Sequence, residues 1–389
     1  MSTKARFSAA SNGAKPPRKK EKPSPVSKPT SLSSLPYELL LNCIARISRL
    51  YYPTLSLVSK SFRSIVASPE LYRTRSRLDR TENCLYLCLR YPVNQQDWFT
   101  LCRKPDRTVT NESSGYQFIP IPSPCLPVVR SSSIVAVDSK IYITGGYEHS
   151  SSSVSVLDCR FNTWQEAPSM RVKRSGDSTA SLVDGKIYVA GGCEEDVSSS
   201  NWVEVFDPKT QTWENVWTPE TDIRNDVALR SMGLGGKLYV VTSGGEFVAY
   251  DPKEARWNWK PIATDMSMAA TIFFSYGVIG NVLFKLWNKG VFRWYDCKTS
   301  LWKILKGIEG LPDLNVRKFC GIVDFGGKMA VLWDDDCFED TVKTVWCAVI
   351  ALERRNGDEI WGKVEWMDVV FRDHNSSRLY IADVFSASV

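Results

Sequence analysis

The chain has 389 residues, 43% of them hydrophobic and 24% charged, a globular balance that excludes wholesale disorder and predicts one or two domains. Its longest apolar run, Val345 to Leu352, is eight residues; with no apolar stretch of signal-peptide kind at the start, neither a membrane span nor secretion is expected. The net charge of +6 is uneven, with +7 on residues 1–30, +5 on 31–78 and −6 on 79–389, which excludes a broad nucleic-acid-binding face on the large remainder.

Residues 1–30 are rich in Pro, Ser and Lys, with Phe7 the only aromatic. They cannot bury enough surface to offset their ordering entropy, so a disordered basic tail is expected. Within it, Pro16-Pro17-Arg18-Lys19-Lys20-Glu21-Lys22 reads either as a nuclear-localisation signal or as a solvated charge run. A plastid transit peptide fits less well, because the charge is mostly lysine among many prolines.

From Leu32 to Leu78 the pattern is helical. Leu35, Leu39, Cys43, Ile44 and Ile47 recur at spacings of three and four and line one helix face, with Ser33 or Ser34 available as a cap. After a break at Pro53, Leu55, Val58, Phe62 and Ile65 continue the period, and Ser68-Pro69-Glu70 announces a third helix. Three helices in under fifty residues make a small core. They form either a cap on a larger domain or a module whose remaining apolar surface is buried by a partner.

Leu35-Pro36-Tyr37-Glu38-Leu39-Leu40, then Leu55 to Ile65, then Ser68-Pro69-Glu70-Leu71-Tyr72, resembles an F-box in order and spacing. Phe62 stands where many F-boxes have Trp, and Ser59 where Cys is frequent. The resemblance implies docking to the Skp adaptor of cullin–RING ubiquitin ligases, through Leu35, Pro36, Leu39, Ile44, Ile47, Leu57, Val58 and Phe62. That adaptor is typically acidic, and the +5 of residues 31–78 has the sign that steers such an encounter.

Beyond residue 130 the chain repeats itself. Lys140-Ile141-Tyr142-Ile143-Thr144-Gly145-Gly146 aligns with Lys186 to Gly192 and with Lys237 to Val241 followed by Gly244-Gly245. Asp158, Asp207, Asp251 and Asp296 each lie six residues before a tryptophan (Trp164, Trp213, Trp257, Trp302), at intervals of 49, 44 and 45 residues. In the second unit four short strands are predicted at Ser178–Val183, Lys186–Ala190, Val203–Phe206 and Thr212–Val216. Asp184-Gly185 makes a hairpin turn, the glycine pair marks a close approach of backbones, and the tryptophan packs between units. Four-stranded units of this length bury their faces by stacking into a propeller.

These units resemble the kelch repeat, clearest at 131–174, 175–227 and 228–269. Divergent units fall at 83–128, 270–312 and 313–389, with Arg378–Phe385 as a closing strand. The expected fold class is α+β multidomain: a small three-helix F-box at 31–78, then an all-β kelch propeller at 79–389 of about six four-stranded blades. An F-box followed by such repeats resembles the plant F-box/kelch-repeat family.

Little catalytic chemistry is expected. The chain has two histidines, and its eleven cysteines include no C-x-x-C pair; the thiols are expected to be reduced and mostly buried, in the cytoplasm and/or nucleus. Neither a nucleophile motif, a phosphate loop nor a metal signature is present, so no enzyme activity, metal or cofactor is expected. A copper-oxidase propeller would need His149 and His374 to converge with a tyrosine and a cysteine. The acidic run Asp334-Asp335-Asp336 with Glu339 and Asp340 reads as a solvated loop. The resemblance therefore implies a ligase subunit that presents a target protein, against an alternative scaffold with no ubiquitination role. Target contacts are expected on the loops Tyr147–Ser153, Met170–Gly176, Cys193–Asn201, Thr218–Asp226 and Asp334–Asp340. The candidates are Glu148, Arg171, Lys173, Arg174, Glu194, Glu195 and Asp196.

Overall fold

The structure, a computed structural model, describes residues 35–91, 95–104, 115–124, 128–193, 201–218, 228–243, 247–258, 276–287, 290–312, 314, 320–335, 343–373 and 380–389. The basic tail and the Ser33/Ser34 cap lie outside them. The chain divides into two units, one ending at Leu40 and one running from Leu41 to Val389.

Helix α1 (Tyr37–Ala45) is followed by a 3-10 turn at Arg49–Tyr51, then α2 (Tyr52–Val58), α3 (Lys60–Val66) and α4 (Pro69–Arg77). The expected second helix is two helices, so there are four where three were expected. Ser59 leaves the helical region at φ −160° and ψ 163°, and its hydroxyl accepts the Phe62 N–H at 3.1 Å, an N-cap that starts a new helix. Pro53 is not a break: it occupies the first turn of α2, where its missing N–H costs nothing. Ser68 caps α4 by accepting from Leu71 N at 3.3 Å, as its sequence announces.

Six four-stranded antiparallel sheets follow. The first contains β1 (Asn83–Tyr91), β2 (Gln95–Arg103) and β3 (Tyr116–Ile121). The second is β4 (Ile134–Val137), β5 (Lys140–Thr144), β6 (Val154–Asp158) and β7 (Thr163–Ala167), and the third β8 (Arg174–Val183), β9 (Lys186–Cys193), β10 (Val203–Asp207) and β11 (Thr212–Val216). The fourth is β12 (Ala228–Leu234), β13 (Lys237–Thr242), β14 (Phe247–Asp251) and β15 (Arg256–Asn258). The fifth is β16 (Tyr276–Ile279), β17 (Val282–Trp287), β18 (Val291–Asp296) and β19 (Leu301–Ile304). The sixth is β20 (Cys320–Phe325), β21 (Lys328–Asp335), β22 (Lys343–Arg355) and β23 (Glu359–Asp373).

The last strand, β24 (Tyr380–Ser388), completes the first sheet by pairing with β1, from Asn83↔Ser388 to Arg90↔Tyr380. The leading strands touch in the cycle β4, β8, β12, β16, β20, β24 and back to β4. The ring is thereby closed by strands from both ends of the propeller sequence, a six-bladed propeller without a free inner edge.

Apolar side chains pack between blades. Phe206, Ile187 and Val189 of the third sheet meet Tyr142 and Val156 of the second, while Leu87 and Leu89 meet Leu332 and Cys347 across the closure. Asp184 and Gly185 both have positive φ, the two-residue hairpin expected from sequence. A Cβ at Gly192 would sit 2.9 Å from the Ser178 nitrogen, so the glycine pair does mark a close approach. Gly233 does the same between inner strands, where a Cβ would fall 2.0 Å from the Leu182 carbonyl oxygen.

Candidate functional site

Two surfaces carry the candidate chemistry. On the helices, Leu57 and Val58 end α2 with 75% and 64% of their surface exposed, an unusual display for adjacent branched aliphatics. Pro36 and Leu39 are exposed, whereas Leu35, Ile47 and Phe62 are half-buried. Ile44 departs from expectation: it is 1% exposed, a core residue of the helices with no surface left for a partner.

The helical segment after Leu41 is fastened to the propeller by a charge node. Arg75, 2% exposed, donates to Glu82 Oε1 at 2.7 Å, to the Ile47 carbonyl at 2.8 Å and to the Tyr52 hydroxyl at 3.1 Å. Glu82 also accepts from Ser48 Oγ at 2.8 Å and from the Arg49 N–H. Arg49 reaches Asn162 Oδ1 at 3.2 Å, and Tyr72 meets Phe161 edge-on with ring centroids 5.2 Å apart. The contacted turn Asp158–Asn162 belongs to the tight-turn end of the blades, opposite the longer loops.

On that loop side Glu148, Arg171 and Lys173 are exposed. Arg174 is not available to a target. It is 0% exposed and binds Glu204 at 3.1 Å, itself 0% exposed, and it donates to the carbonyls of Gly191, Asn201 and Trp202. A charge inside a blade survives only when paired in this way. Asp334 departs too: it lies in β21, buried and ion-paired with Lys343, not in a solvated loop. Glu194, Glu195, Asp196, Asp336, Glu339 and Asp340 lie outside the described residues.

One feature of this face was not read from sequence. Tyr147, 38% exposed, lies under the guanidinium groups of Arg90 and Arg130, which are 4.4 and 5.6 Å from its ring centroid. Arg130 also pairs with Asp177 at 3.4 Å. The pattern available beforehand was an aromatic residue directly after the glycine pair Gly145-Gly146; its arginine neighbours come from another blade and an inter-blade link.

The recurrent residues are structural. Each repeat aspartate accepts the backbone N–H two residues on: Arg160, Lys209, Lys253 and Lys298, at 2.8 to 3.0 Å. The tryptophans Trp164, Trp213 and Trp257 donate their indole N–H to the carbonyls of Pro122, Pro168 and Trp217, tying each blade to the preceding link. Burial pushes the Cys102 and Cys159 thiols up to about 12 and those of Cys88 and Cys347 higher still, which keeps them protonated and poorly nucleophilic. His149 is exposed, and His374 lies outside the described residues. Among the described residues no group of three His, Cys, Asp or Glu is placed to hold a metal, and no helix is long and apolar enough to cross a membrane.

Helices bearing exposed aliphatics, ahead of a six-bladed propeller with a polar loop face, define the class of an F-box protein with a kelch propeller. Residues 32–74 match the F-box domain family and 98–371 the FKB95 kelch-repeats domain. The F-box/kelch-repeat protein At4g39590 of Arabidopsis thaliana is 52% identical over 100% of this chain and 99% of its own length. At4g39580 of the same plant is 50% identical over 94% and 96%. The solved structure of YjhT aligns with 62% of this chain and 99% of its own at 12% identity, with a TM-score of 0.39. The chain belongs to the F-box/kelch-repeat family, whose domain pairing is that of a substrate adaptor.

Proposed function

We propose that this chain is the substrate-recognition subunit of a Skp–cullin–F-box ubiquitin ligase, acting in the cytoplasm and/or nucleus. The helices dock the Skp adaptor and the propeller's loop face holds the target protein. The carrying observation is the adjacent pair Leu57 and Val58, largely exposed at the end of α2. Burying two such side chains is worth roughly 1.5–3 kcal/mol each as an upper figure. Ile44 supports the helices from within, while Leu35, Pro36, Leu39, Ile47 and Phe62 complete the proposed contact set. The chain itself does no chemistry: the partner enzymes transfer ubiquitin, and this subunit supplies proximity and orientation.

The target is held by Tyr147 with Arg90 and Arg130 around it, flanked by Glu148, Arg171 and Lys173. Aromatic and arginine side chains are the types that anchor protein interfaces. Two variants test the reading in one capture experiment with ligase turnover blocked. Leu57→Asp with Val58→Asp is expected to abolish co-purification of the Skp adaptor while target capture persists. Arg171→Glu with Lys173→Glu is expected to do the reverse. Undiminished adaptor recovery from the first variant, with its unfolding midpoint unchanged, overturns the assignment.

A further inference from the structure

The six inner strands enclose a central channel with a cavity volume of about 380 Å³, near the small end of the range for ligand pockets, about 300–1,000 Å³. We propose that this channel is a binding site for a small neutral polyhydroxylated ligand, of the size of a monosaccharide or cyclitol. The site is separate from both surfaces assigned above.

Charge of both signs lines the channel. Among the described residues the lining carries one cation, Arg230, and two carboxylates, Asp324 and Asp383. Asp324 accepts backbone N–H groups from Gly280 at 3.0 Å and Gly327 at 2.7 Å at the tight-turn end. Arg230 lies toward the loop end, where Asp383 acts on it as an opposite charge. An anion entering here meets Asp324 and Asp383 and a cation meets the Arg230 guanidinium, so the described lining offers both signs to a guest. A neutral guest that both donates and accepts hydrogen bonds satisfies the two signs together.

The hydroxyl content points the same way. Ser231 bonds Thr179 at 2.9 Å and Ser181 at 2.7 Å, three hydroxyls from two adjacent inner strands. A hydroxyl has one proton and two lone pairs, so this cluster keeps acceptor capacity beyond its internal bonds. On β16, beside β12, the Tyr276 hydroxyl is shut off from bulk solvent and interacts with Arg230; across the channel on β24, Ser386 Oγ is shut off from bulk solvent and makes no hydrogen bond among the described residues. Buried polar atoms left in that state are rare and call for an explanation. Burial pushes the Tyr276 phenol up to about 12, so it remains a neutral donor and acceptor. Arg230 lies 5.0 Å from the centroid of the Tyr276 ring, which places a planar donor fork beside a phenol in the lining.

The test titrates the full-length chain with glucose, galactose and myo-inositol, beside glucuronate and glucosamine as charged counterparts. Binding is read by calorimetry and by saturation-transfer NMR. At least one neutral probe is expected to bind, more tightly than either charged counterpart. Tyr276→Phe, Ser386→Ala and Arg230→Gln are each expected to weaken it tenfold or more. Unfolding midpoints are compared in parallel, and of the three the serine variant disturbs packing least. No signal from any neutral probe at tens of millimolar overturns the proposal, as does tighter binding of a charged counterpart or unchanged affinity in folded variants. Skp adaptor co-purification should be unaffected throughout, so failure here is distinguishable from failure of the ligase assignment.

Discussion

Arg174 and Glu204, both fully buried, set how a single residue acts in this molecule. Arg174→Met alone leaves the Glu204 carboxylate in the blade without its cation, and the expected loss is roughly 3–5 kcal/mol. Adding Glu204→Leu removes the orphaned charge and is expected to recover part of that loss, though not the bonds to Gly191, Asn201 and Trp202. Urea midpoints of the single and double variants check the order, and a double variant no more stable than the single one sinks it. Ile44, at 1% exposure, behaves likewise: Ile44→Ala is expected to destabilise the helices by about 2–5 kcal/mol, whereas changes at Leu57 affect binding and leave stability nearly untouched. Composition could not separate these cases. Arg171, Lys173 and Arg174 look alike in sequence, and only strand β8, which begins at Arg174, turns the third side chain inward. The exposure of Leu57 and Val58 was legible because the F-box pattern names them; the Arg90–Tyr147–Arg130 stack was not, because packing of two neighbouring blades and the link between them assembles it.

At the scale of elements, one four-residue turn recurs with the same solution: an aspartate binds the N–H two residues later, and after three of the four turns an indole fastens the following strand to the previous link. Asp296 carries the clearest electrostatic signature. Its hydrogen bond to Lys303, at 2.8 Å, with further bonds to Lys298 N and Thr299, holds its carboxyl at about 2, against an ordinary 3.8. Folded-state depression means that its stabilisation is complete above the ordinary value and is lost as pH falls through about 2. Asp296→Asn should therefore lower stability at neutral pH and flatten the acid limb of the stability curve; an unchanged limb in denaturation series between neutral pH and about 2 counts against it. Trp213→Phe, which deletes the 2.8 Å bond to the Pro168 carbonyl, is expected to cost about 1 kcal/mol beyond any repacking, seen as a lower midpoint. These elements were readable because their spacing is set by local turn chemistry. The boundary between α2 and α3 was not, since hydrophobic period continues across Ser59 and only the cap geometry interrupts it.

The whole molecule depends on its last ten residues. β24 buries Ile381, Val384 and Ala387 against neighbouring blades, supplies the inner strand beside β1, and touches both β20 and β4. Val389 then exchanges two backbone hydrogen bonds with Glu82, each 2.9 Å, and Glu82 is the carboxylate that receives Arg75 and Arg49 from the helical segment. The strand that closes the ring thus also steadies the node that couples α4 to the propeller. A chain ending before Tyr380 loses an inner strand, exposes the β1 edge to pairing with other chains, and frees Glu82 to move. Such a chain is expected to unfold at lower urea with a broadened transition, to self-associate, and to capture target poorly, while α2 retains Leu57 and Val58 and with them measurable adaptor binding. Val384→Asp should reproduce the first three effects at full length, because a carboxylate cannot be buried unpaired between blades. A truncated chain that stays monomeric, with an unshifted and equally steep transition by size exclusion and urea titration, means that closure is dispensable.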